Sequence, residues 1–239
     1  MLITASTLVV GDRAAAAFTS EQIHDRVAAE LAARDVEYGR LSVDVAGVPF
    51  LSQAFTGTLD KISISMTDLR PSADTTGGTE AVTIGSVDVA ASGVRFNVGD
   101  LIRGRPSAAA EELVGTAFIG YAALDGLVDL SGMSLADVHF SQADGGIRFE
   151  ALGALAPVRA VADIAVDAGH LRVKLRDAQF VSLALPTAGR GILDQILAVS
   201  IDLLMPSLPL GLTLQSVIPG PEGLSISVVG RDVPLTVDA

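Results

Sequence analysis

The side chains that most often carry chemistry are sparse and scattered in this chain. Its three histidines, His24, His139 and His170, fall on a helical polar face, in an alternating run and beside a turn signal, with no metal-ligand spacing among them. There is no cysteine, which removes thiolate nucleophiles, disulfides and thiolate metal sites together. The G-x-S-x-G elbow, the H-E-x-x-H pair and the phosphate-cradling P-loop are also absent. Gly189-Arg190-Gly191 opens an apolar run, but it lacks the third glycine and the preceding strand of a dinucleotide site. Carboxylates are abundant, yet acid/base chemistry needs a placed pair, and abundance alone does not place one. The sequence therefore predicts no catalytic residue, no metal site and no cofactor, and a protein that is not an enzyme.

What remains is apolar surface. Hydrophobic residues make up 49% of the chain but aromatic ones only 4%, so the apolar mass is mostly aliphatic. The formal charge of −12 speaks against nucleic acid as a partner and against a polybasic membrane-surface domain, so any lipid contact should be local and apolar.

The elements that must position this surface start with Val43–Met66. Leu41, Val43 and Val45 alternate with polar or small neighbours, as in a half-buried strand. Gly47 and Pro49 stop that strand, and Phe50, Leu51, Ala54 and Phe55 follow at helical spacing, predicting one short turn with both rings on one side. Gly57 closes the turn, and Ile62, Ile64 and Met66 resume alternation.

Upstream, Met1–Val10 is apolar and uncharged but far shorter than the roughly 20 residues a helical span needs. It reads either as a plain apolar start or as the tail of a longer anchor. Thr19 with Gln22 fits a capping box, predicting an amphipathic helix striped by Ile23, Val27 and Leu31. Downstream, parity changes at Gly85–Ser86, which predicts a bulge, and again after Ser92–Gly93, which predicts a tight turn. Ala143–Gly146 is a hairpin signal between Leu135–Phe140 and Ile147–Leu152, and the alternating runs 157–167 and 171–175 extend an antiparallel meander. Residues 189–206 read as a long helix, apolar over most of its surface through Leu193, Ile196, Leu197 and Leu204, with Asp194, Ala198 and Asp202 on a narrow polar line. A last hairpin spans 212–229, and 233–237 reads as an edge strand.

No linker or repeat divides the chain, so a single α+β domain is expected over 18–239, with 1–17 as lead-in or anchor remnant. Composition by itself favours a well-filled core. The alternative is a tunnel or groove for an acyl chain, lined by Phe50, Leu51, Phe55, Ile62, Ile64, Met66, Phe96, Phe118 and Phe140 together with Leu193, Ile196, Leu197 and Leu204.

Four segments resemble one family. V-x-V-x-G-V-P-F-L-S-Q-A-F-x-G (Val43–Gly57) is the most specific of them. Val9–Ala16, Leu208–Val217 and Gly223–Ile226 support it, in the same order over nearly the whole chain. Together they resemble the LmeA-type cell-envelope proteins of actinobacteria. That resemblance implies a strongly curved antiparallel sheet wrapped around a long helix, as in tubular lipid-binding domains. It implies a non-enzymatic partner for phospholipid, including phosphatidylinositol, or another acyl-chain lipid, at the membrane surface of the cytoplasmic membrane. It further implies a periplasmic, membrane-anchored location and support of lipoglycan assembly, and it tips Met1–Val10 towards a trimmed anchor. Arg190 or Asp194 is the expected head-group contact. The competing expectation is a structural or scaffold envelope protein whose core is filled by its own side chains.

Overall fold

A computed structural model describes residues 2–71, 83–97, 99, 108–125, 135–153, 157–167, 170–180, 200–204 and 211–235. Within these the chain is α+β, with strands paired antiparallel throughout. It opens with α1 (Leu2–Ala33), followed by β1 (Val36–Glu37), β2 (Arg40–Ala46) and the short α2 (Phe50–Thr56). Then come β3 (Thr58–Pro71), β4 (Ile84–Phe96), β5 (Ala108–Gly120) and α3 (Tyr121–Asp125). The meander β6 (Leu135–Ala143), β7 (Gly146–Gly153), β8 (Pro157–Asp167), β9 (His170–Phe180) and β10 (Ser200–Leu204) precedes the closing hairpin, β11 (Thr213–Pro219) and β12 (Gly223–Pro234).

One sheet runs β1-β3-β4-β5-β12-β11 with β2 also on β3, and the other runs β10-β9-β8-β7-β6. The final hairpin thus joins β5 across more than ninety residues of sequence, and Val233 and Pro234, expected to open an edge strand over 233–237, instead continue the interior strand β12. Local alternation identifies a strand but says nothing of its neighbours.

The first sheet is bent by creases. Between Leu59↔Val94↔Ala110↔Val233 and Lys61↔Ser92↔Glu112↔Arg231, one residue in each strand drops out of the ladder: Asp60, Gly93, Glu111 and Asp232. Gly93 (φ 58°) and Asp232 (φ 49°) sit in the left-handed region there. Inward residues consequently lie three apart in all four strands, Leu59 to Ile62, Val94 to Ala91, Ala110 to Leu113 and Val233 to Gly230. The parity change after Gly93 is therefore this crease inside one continuous strand, not a turn. A second crease skips Asp68 (φ 54°) and Gly85 together without a register shift, so the parity change the sequence read as a bulge is a paired crease. Extra residues of this kind raise local twist and curl a sheet.

Two helix expectations change. Residues 2–33 form one unbroken helix, and Thr19 and Ser20 do not cap it. Their hydroxyls donate to the carbonyls of Ala15 and Ala16 one turn back, the mid-helix alternative to capping. Among the described residues no helix is long and apolar enough to cross a membrane. The predicted helix over 189–206 is contradicted where it can be compared. Ser200–Leu204 is a strand antiparallel to β9, with Leu204 opposite His170 and Asp202 opposite Arg172. A short apolar run has no periodicity that separates strand from helix. Leu193, Ile196, Leu197, Arg190 and Asp194 lie outside the described residues.

Candidate functional site

The inner face of the first sheet is apolar in six-strand rows. Val43, Ile64, Val89, Gly115, Val228 and Leu214 form one row, and Leu41, Met66, Val87, Ala117, Ile226 and Val217 the next. The opposite face carries Ser63, Ser65, Thr67, Asp88, Thr116, Ser225 and Ser227, and Ser65 Oγ donates to Asp88 at 2.6 Å. Such a division marks a sheet with one solvated face.

Burial along the inner face is uneven. At one end Leu59, Val94, Ala110 and Val233 are 6, 2, 0 and 1% exposed. There Ala16 of α1, Val45 and Phe50 close over Leu59, Ala91, Val94 and Ala110 in one cluster. At the other end Leu224 meets Tyr121 and Ile147, with Phe140, Ile164 and Val217 packed around them, so the second sheet closes that side. Between the two clusters Ile64, Val87, Val89, Met66, Ala117, Ile226 and Val228 are only half-buried. Gly230 to Leu224 covers about 20 Å along the strand, and β3 to β12 about 14 Å across. The arrangement is an apolar trough with two sealed ends.

The motif around α2 builds the first seal. Gly47 takes φ 128°, and a side chain there would run into the Gln53 amide. The Val48–Pro49 bond is cis, and Pro49 supplies no side-chain cap to α2. The cap comes instead from α1: Leu51 N–H donates to Asp12 Oδ1 at 2.8 Å. The backbone amides of Leu51 and then Phe50 hold the Asp12 carboxyl below its usual range, Arg13 adds to this, and burial opposes it. Gln53 clasps Asp60 twice, donating from Nε2 at 2.7 Å and accepting from its amide at 3.0 Å. Gly57, in the left-handed region, ends the helix.

The expected site residues separate accordingly. Ile62, Ile64 and Met66 share the trough face. Phe50, 5% exposed, plugs its closed end, and Phe96 packs against the same cluster. Phe55, 87% exposed, and Leu51, 40% exposed, point the other way. Both rings on one side is thus corrected: residues five apart on a helix differ by about 140°, so Phe50 pairs with Ala54 and Leu51 with Phe55. Phe118 registers between Ser86 and Ser225, on the face opposite the trough. Phe140 belongs to the far cluster. Val87, Val89, Ile226 and Val228 were not among the expected lining, although their alternation is plain; the pairing of β12 with β5 is what brings them together. Asp12 and Gln53 carry no sequence signal beyond the motif.

Two shallow depressions lie outside the trough rows. One, of about 490 Å3, is bordered by Thr56, Gly57, Arg95, Phe96, Asn97, Ala108 and Ala109 beside α2. The other, of about 530 Å3, is bordered by Ser92, Gly93, Arg95, Glu111, Glu112, Arg231 and Asp232 along the outer crease. Both are open to solvent, and the second is polar. Among the described residues no group of three or more histidine or carboxylate side chains could hold a metal ion.

A creased antiparallel sheet with an apolar trough between two sealed clusters defines the α+β framework of this protein. The chain belongs to the LmeA-like phospholipid-binding family, whose model matches residues 10–229. No curated protein and no solved structure matches it.

Proposed function

We propose that this protein binds one phospholipid without chemical turnover, its acyl chains lying along the trough rows of the first sheet. One observation carries the reading. On the central strands Ile64, Met66, Val87, Val89, Ala117, Ile226 and Val228 stay only half-buried between two sealed clusters, while Leu41 and Leu214 close the same rows at either side. Apolar surface in a self-filled core is removed from water, and each buried methylene contributes about 0.8 kcal/mol, so a flexible chain gains most in such a trough. The lining offers few fixed hydrogen-bond partners, which suits an acyl tail better than a polar metabolite.

The finer reading follows the family. Phosphatidylinositol is the candidate head group, and the outer side of the cytoplasmic membrane the candidate location, with support of lipoglycan assembly as the role. Arg190 or Asp194, outside the described residues, is the candidate head-group contact. Native mass spectrometry of the purified chain, with organic extraction of whatever co-purifies, tests it. One phospholipid per chain is the expected result. A bare protein that also takes nothing from phosphatidylinositol vesicles overturns the reading in favour of a scaffold with a self-filled core.

A further inference from the structure

α2 buries one face and, among the described residues, leaves the other exposed. Phe50 and Ala54 face the sealed cluster, while Leu51 and Phe55, joined by Val48 at 72% exposure, stand in solvent at the end of the sheet. A phenyl ring that exposed on a helix held by a tertiary cap and by the Gln53–Asp60 clasp is a rigid apolar tip.

We propose that this tip docks the protein on a phospholipid bilayer, with Phe55 and Leu51 entering the interface. The charge distribution singles out the occupant. In a chain of net charge −12, residues 45–59 carry no ionisable side chain. Three nearby carboxylates are engaged, Asp12 by the start of α2, Asp60 by Gln53 and Asp232 by Arg95, while Glu111 and Glu112 lie beyond Arg95 along the outer crease. The exposed cations on the rim are Arg13, which donates to Gly47 O at 2.6 Å, and Arg95, beside Thr56 and Gly57. Neutral apolar centre and guanidinium rim complement the layers of a bilayer surface, acyl boundary below and phosphate above. α1 adds continuity: residues 2–11, also without ionisable side chains, extend about 15 Å from the Asp12 contact with α2. Docking by α2 goes beyond trough binding and does not depend on the trough being occupied.

The absence of native cysteine makes single-site labelling clean. Phe55→Cys, Leu51→Cys and, on the polar outer face, Ser225→Cys each carry an environment-sensitive fluorophore in the full chain. Phosphatidylcholine vesicles, with and without phosphatidylglycerol, are the probe. Blue-shifted emission and quenching by lipid-borne quenchers at 55 and 51, but not at 225, is the expected result. Phe55→Ser should weaken vesicle partitioning about ten-fold, the scale of one lost phenyl burial. It should leave uptake of a short-chain phospholipid, offered as monomers, unchanged; that uptake reads the trough alone, so failure of docking and failure of trough binding are told apart. Vesicle binding without a shift at 55, no vesicle binding at all, or a concentration-dependent shift at 55 without lipid (a second copy covering the tip) would each overturn the proposal.

Discussion

The closed end and the middle of the inner face are made of the same strands and the same residue types, yet they differ in what their apolar surface does. At the closed end Leu59, Val94 and Ala110 are sealed beneath α1 and Phe50, with Val233 buried beside Ala110. Two to three rows away, Ile64, Val89 and Val228 keep part of their surface open. One crease lies between these regions, and it turns an extra residue in each of four strands into a change of face. Apolar alternation alone therefore does not distinguish core from binding surface; what packs over the row decides.

The sharpest way to break this comparison is at the plug. Phe50→Ala should cost about 3–5 kcal/mol in denaturant unfolding, because it empties a sealed site. A loss well below that would make the closed end as open as the middle. Gly93→Val attacks the crease itself: a β-branched residue at φ 58°, crowding the Glu111 side chain, should cost about 1–2 kcal/mol or more. Ile64→Trp, in the middle row, should shift unfolding by about 1 kcal/mol while bound phospholipid falls well below one per chain by native mass spectrometry. An Ile64→Trp protein as unstable as Phe50→Ala would erase the distinction. At the far seal, Tyr121 O–H donates to Gly220 O at 2.9 Å, and Tyr121→Phe should cost about 1 kcal/mol.

The smallest effect is a pH dependence at the cap of α2. Asp12 is held below its ordinary 3.8 in the folded state, so the unfolded chain takes up a proton first as pH falls. Its stabilisation is complete above 3.8 and disappears as pH drops through the lowered folded value. Asp12→Asn should flatten that part of the acid-unfolding profile and leave the neutral-to-alkaline part unchanged in slope.

Much of this architecture was legible locally. The strand–turn–strand around α2, its end at Gly57, the hairpin at Asp144–Gly145 and the parity change near Gly85 follow from proline, glycine and parity, which act over a few residues. Ile62, Ile64 and Met66 were legible as one face for the same reason. The opposed directions of Phe50 and Phe55 were also implicit in their five-residue spacing, since helical geometry alone sets that angle.

Other features were decided only by the fold. Asp12 caps a helix 39 residues away, and no local pattern announces a donor or acceptor that arrives across space. Val228 and Ile226 join Val89 and Val87 only because β12 pairs with β5, a choice made by packing between distant segments. Ser200–Leu204 became a strand because β9 offered an antiparallel partner, where intrinsic preference left helix and strand equally open. The sequence alone determined which residues are apolar and with what period. The tertiary structure decided which apolar rows are sealed and which stay open, because burial depends on what the rest of the chain lays over them.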